Sequence, residues 1–136
     1  MLSAAYDFSD RTGPSGLHGA DPEFILATEN YVNTADLPTL KARSPISMVT
    51  APTQQAPFVP LFMINSWFDS PTSYHQIVDM ICKLNSVGVS ASAYQTLTVP
   101  DSSAHAFGLW NHCDGISTPC KRVRQHVIEF FDAHLK

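Results

Sequence analysis

Apolar positions along the chain follow two different periods. Ile77, Met80, Ile81 and Leu84 fall at i, i+3, i+4 and i+7, the spacing that gathers side chains on one face of a helix. Ser70 suits the N-cap and Pro71 the first helical position, while Gly88 suits the left-handed residue that ends such a helix. A second stripe, Val123, Val127, Phe130, Phe131 and Leu135, has Lys121, Arg122, Arg124 and Glu129 off it and predicts a closing helix. Between the two, Val89 to Val99 carries Tyr94, Thr96, Thr98 and Val99, residues that favour strands, and Pro100 stops it. Ahead of both, Leu61-Phe62-Met63-Ile64 is an unbroken apolar run of strand length, the signature of a strand covered on both faces. The order strand, helix, strand, helix predicts a parallel α/β arrangement with right-handed crossovers.

The first half is less regular. Leu2 to Tyr6 reads as a short strand ended by Asp7, and a loop rich in Gly and Pro follows from Arg11 to Pro22. Phe24, Ala27, Thr28 and Tyr31 predict a short helix over 23–32, with a polar turn from Asn33 to Asp36. Ser44-Pro45 closes that region, and Pro52, Pro57 and Pro60 exclude a central strand from the segment that holds them. Residues 1–136 thus read as one domain, with a loop or cap-like region at 8–44 and a strand–helix–strand–helix unit at 45–136.

Composition narrows the function classes. Eight Lys and Arg stand against 12 Asp and Glu, a net charge of −4, and no basic run exceeds Lys121-Arg122. Such a chain has little with which to neutralise a phosphate backbone, so no nucleic-acid partner is expected. No stretch approaches the roughly 20 apolar residues of a membrane span, and Asp7 comes too early for a signal peptide's apolar region. Localisation, secreted or cytoplasmic, stays open. Cys82 lies inside a helical pattern, whereas Cys113 and Cys120 flank a short loop that a disulfide would close in an oxidising compartment. His112, Cys113, Asp114 and Cys120 have none of the usual zinc spacings, so neither a metal nor any other cofactor is expected.

Ligands of parallel sheets gather at the carboxyl ends of the strands. Asp69 follows the first strand of the closing unit and His105 the second, so adjacent strands would bring carboxylate and imidazole together. That is the acid–base half of a catalytic triad, in which the carboxylate fixes the histidine tautomer. Asp101 is the rival acid, ranked lower because it does not follow a buried strand and precede a helix. Trp67 and Trp110 flank the two residues and are read either as lining an acyl or alcohol pocket or as loop packing. His75 falls in the first turn of its helix, and His126 and His134 on the closing helix where exposure accounts for them.

Pro60-Leu61-Phe62-Met63-Ile64-Asn65-Ser66-Trp67-Phe68-Asp69, the helix ending in Leu84, Gly88, the next strand, His105-Ala106-Phe107 and the closing helix Val127 to Phe131 share an order and spacing. It resembles the C-terminal part of α/β-hydrolase-fold carboxylesterases and lipases. The resemblance implies a partial α/β-hydrolase fold: the last three parallel strands, flanking helices and part of the cap, with Leu2 to Asp7 as the first of the three. Ser44-Pro45 matches the family's small-Pro pair before its seventh strand, and Tyr31 and the segment from Asn33 to Leu40 fall in the variable cap. By resemblance Asp69 is the acid and His105 the general base of a serine hydrolase acting on small-molecule esters.

Two departures qualify this. Asn65-Ser66 stand where the family has His-Gly, and no G-x-S-x-G nucleophile elbow occurs in the chain. Gly13-Pro14-Ser15-Gly16 lacks the second spacing, Gly88-Val89-Ser90-Ala91-Ser92 ends in serine between helix and strand, and Leu17-His18-Gly19 is no oxyanion loop. The expectation is therefore a C-terminal hydrolase segment whose nucleophile-bearing half lies elsewhere, inactive by itself, with that half or a second copy of itself as partner. The alternative is a non-catalytic module, a pseudo-hydrolase remnant that pairs through an open sheet edge.

Overall fold

A computed structural model describes residues 4–11 and 21–135. Its sheet, among those residues, has two parallel strands, β1 (Leu61–Ser66) and β2 (Tyr94–Val99), in register from Leu61 opposite Tyr94 to Ser66 opposite Val99. Between them runs α4 (His75–Ser86), and α5 (Val123–His134) closes the chain. Ahead of β1 come α1 (Pro22–Val32), α2 (Leu37–Arg43) and the single turn α3 (Pro45–Met48).

Alternation along β1 divides the core in two. Met63 packs with Tyr6, Ile46 and the α4 residues Ile77, Met80 and Leu84 on one side. Phe62 and Ile64 pack on the other with Leu97, Val99, Leu109, Val123 and Phe130. Both faces of β1 are covered, as its unbroken apolar run requires, and each fully buried side chain of this kind stabilises the fold by about 1.5–3 kcal/mol. The α5 stripe is only partly buried. Val123 and Phe130 face the sheet, with the Phe130 ring 5.3 Å from that of Phe62, while Phe131 and Leu135 are exposed. Positions 123, 127 and 130 span the contact face, and Phe131 lies one residue's rotation beyond it.

The expected strand at the start of the chain is not formed by its described part. Leu2 and Ser3 lie outside the described residues, and Ala4 to Tyr6 belong to no strand. Their backbone groups are used otherwise: the buried Gln76 side chain accepts from the Tyr6 and Asp7 N–H groups, each at 2.7 Å, and Ile46 N–H donates to the Tyr6 carbonyl at 2.9 Å. Gln76 also donates to Asp7 O and to Asp10 Oδ2, so one α4 side chain ties this segment down.

Two boundaries also shift, and one helix is added. Helix α4 begins at His75 rather than Pro71, because Ser70 Oγ bonds the Asp21 carboxylate instead of capping α4 and Asp69 takes the Thr72 N–H. Strand β2 begins at Tyr94 rather than Val89, since Ser90 Oγ accepts from Ser92 N–H and turns Ala91–Ala93 into a short 3₁₀ segment. Helix α2 was not expected, although Asp36 caps it by accepting from Thr39 N–H at 2.9 Å and Pro38 occupies its first turn. The loops Gly13 to Gly16 and Leu17 to Gly19 lie outside the described residues.

Candidate active site

The two chain segments that leave the sheet at the carboxyl ends of β1 and β2 are joined by backbone bonds. Trp67 N–H donates to Val99 O at 3.0 Å and Phe68 N–H to Ser102 O at 2.9 Å. Ser66 Oγ donates to Ala104 O at 2.7 Å. This seam places Asp69 beside His105, 36 residues away in the chain. His105 Nδ1 lies 2.9 Å from Asp69 Oδ1 and 3.1 Å from Oδ2. A carboxylate only accepts, so Nδ1 is the donor and the tautomer is set with Nε2 as the basic nitrogen.

Asp69 is fully buried and its Oδ1 also accepts from Thr72 N–H at 3.0 Å. Because α4 starts only at His75, the N–H that supports the carboxylate belongs to the turn before it. Asp101, the rival acid, sits in an exposed turn with φ 51°, and Asp69 holds the histidine. The His105 side chain is 42% exposed, and among the described residues no hydrogen bond reaches Nε2. Directly after it, Ala106 has φ 46°, a conformation unfavourable for an L-residue with a Cβ by roughly 1–2 kcal/mol. Such strain persists only where the surroundings enforce it, and it gathers at functional sites.

The His105 ring borders a cavity of about 300 Å³. Its walls are Phe24, Ala27 and Thr28 of α1, Ala5, and Pro71 and Thr72 of the turn after Asp69, with Glu23 the one carboxylate among them. The α1 wall was not expected from sequence, although the periodic residues Phe24, Ala27 and Thr28 are the ones it presents. Neither tryptophan is among the residues that line this cavity. Trp67 stacks on Tyr74, ring centroids 4.5 Å apart, and Trp110 lines a separate apolar hollow of about 250 Å³ with Phe62, Ile64, Val127, Phe130 and Phe131. Asn65 is buried, and neither of its amide atoms has a hydrogen-bond partner among the described residues.

The other sequence candidates resolve as follows. Cys113 and Cys120 form a disulfide, which leaves His112 and Asp114 without a thiolate partner for zinc. Cys82 is free and exposed. His75 stacks on Tyr74, and the His134 ring packs against that of Phe130 at an interplanar angle of 53°. His126 is not simply a solvated helix residue: its Nε2 lies 2.7 Å from Oδ2 of the fully buried Asp114. Burial alone would raise the Asp114 carboxyl, but hydrogen bonds from Ser117, His126 and Ile116 outweigh it and hold the group far below the usual carboxylate range. Ser90 and Ser92 lie before β2, at the opposite end of the sheet from Asp69 and His105. Among the described residues no helix is long and apolar enough to cross a membrane. Comparisons with known protein families, with curated proteins and with solved structures return no match.

Proposed function

We propose that this chain supplies the acid and the general base of a Ser-His-Asp ester hydrolase of the carboxylesterase and lipase type. The observation that carries the reading is the orientation of the pair. Buried Asp69 accepts a hydrogen bond from Nδ1–H of His105, Nδ1 to Oδ1 2.9 Å, and Nε2 is left without a partner among the described residues. In this reading Nε2 removes the proton of a serine hydroxyl as it attacks the ester carbonyl. It then returns that proton to the oxygen of the departing alcohol, while Asp69 holds the ring and stabilises the imidazolium. The apolar cavity beside His105 takes an uncharged part of the ester. The 136 residues contain no G-x-S-x-G, so the serine and the oxyanion donors come from polypeptide outside them. That same lack favours the second reading, a non-catalytic module derived from such a hydrolase.

The test uses the natural gene product that carries this segment, with p-nitrophenyl acetate and butyrate as substrates and a fluorophosphonate as serine probe. His105→Ala and Asp69→Asn are expected to lower kcat/KM by about 10³–10⁴-fold. Full activity in His105→Ala overturns the assignment. Absence of both hydrolysis and labelling in the wild type supports the non-catalytic module instead.

A further inference from the structure

We propose that the disulfide-closed loop from Cys113 to Cys120 is a clamp for His105, and that Asp114, Gly115 and His126 are its positioning residues. This rests on the reading of Asp69 and His105 as the reacting pair.

His105 sits in the segment that joins β2 to α5; the loop presses on that segment upstream of His105, and the start of α5, to which the loop is fastened, holds it downstream. Upstream, Pro100 is the first residue after β2. Gly115 (φ 74°) lies so close that an added Cβ would be 2.5 Å from Pro100 Cγ and 2.8 Å from Cδ. Downstream, Leu109 is fully buried and Trp110 O accepts from Arg124 N–H of α5 at 3.2 Å. Asn111 binds the guanidinium groups of Arg122 and Arg124, and His112 O accepts from Val123 N–H at 2.9 Å.

The loop is itself rigid, and α5 holds it. Its disulfide closes a separation of seven residues, Asp114 N–H donates to Lys121 O at 2.8 Å, and Cys113 bridges Arg122. The Asp114 carboxylate collects Ile116 N–H, Ser117 N–H and the Ser117 hydroxyl from the loop, then His126 from α5. Position therefore passes from α5, fixed on the sheet by Val123 and Phe130, through His126, Asp114 and Gly115 to Pro100. The strained Ala106, next to His105, needs such a double anchor, because a loop free at either end would relax it.

The readout is the low-field NMR signal of the His105 Nδ1 proton, which reports its bond to Asp69 directly. Gly115→Ala and the double variant Cys113→Ser/Cys120→Ser are expected to lose this signal through at least tenfold faster exchange with water. Asp114→Asn should weaken it. Val89→Ala, in the apolar cluster on the other face of the sheet, is the control: it lowers the melting temperature but keeps the signal. Should Gly115→Ala not fold, reduction of the wild-type disulfide by a phosphine supplies the same comparison. An unchanged His105 signal after the disulfide is broken, or its equal loss in Val89→Ala, overturns the clamp. The signal exists whether or not an ester is ever cleaved, so an inactive gene product counts against the hydrolase reading, an unchanged signal counts against the clamp, and the two failures are told apart.

Discussion

Among the described residues two aspartate–histidine pairs stand for comparison, and they are built differently. Both aspartates are fully buried. Asp69 meets His105 through Nδ1 and takes one backbone N–H besides, from Thr72. Asp114 meets His126 through Nε2 and is saturated by Ile116 and Ser117. The His105 side chain is 42% exposed beside a cavity, whereas that of His126 is 20% exposed against its loop. The contrast teaches that residue identity does not distinguish a pair with an open ring nitrogen from a fastening. What the second ring nitrogen faces, and how many donors the carboxylate already holds, does.

The largest effect that could break this comparison is on turnover. His126→Ala should cost the natural gene product about 10–100-fold in kcat through displacement of His105 alone, against the 10³–10⁴-fold loss of His105→Ala. Equal losses would erase the distinction between the pairs.

Stability should respond in the reverse order. Asp114→Asn removes a charge-assisted fastening and is expected to lower the melting temperature by roughly 10 °C, while His105→Ala should shift it by no more than about 3 °C. The sign with pH follows from the depressed carboxyl of Asp114. Its contribution is fully present above its unfolded pKa of about 3.9 and is lost as pH falls through the lower folded value. Acid unfolding of Asp114→Asn, followed by circular dichroism, should therefore be less steep than that of the wild type.

The smallest effect lies in neither pair. Asp79 is raised by desolvation and by repulsion from Asp10 and Asp7, so its ionisation weakens the fold as pH rises through its titration. Asp79→Asn should raise the melting temperature at neutral pH by about 1 °C, with the His105 and His126 signals unmoved.

Much of the second half was legible because its signals are local. The run at 61–64 and the helical spacing of Ile77, Met80, Ile81 and Leu84 depend on neighbours within two turns or one strand, and both produced the elements they predict. Tyr6 failed as a strand residue because a side chain 70 positions away took its N–H, a competition that no short window contains. The N-terminal ends of α4 and β2 moved for the same kind of reason, as Asp69, Ser70 and Ser90 found partners other than the ones their positions suggested. Helix α2 carries its start signal in Asp36-Leu37-Pro38 but has no apolar stripe behind it, since Leu40 is its buried residue.

The sequence by itself determined the order of strand and helix from Leu61 onward and the places of Asp69 and His105 just past two strand ends, because periodicity and punctuation are short-range. Only the tertiary structure decided which nitrogen of His105 meets Asp69, that α1 walls the cavity beside it, and that Asp114 fastens His126 across a disulfide loop. Those facts depend on where loops of no regular pattern come to rest. Their energies reside in single hydrogen bonds between residues whose spacing along the chain carries no signal.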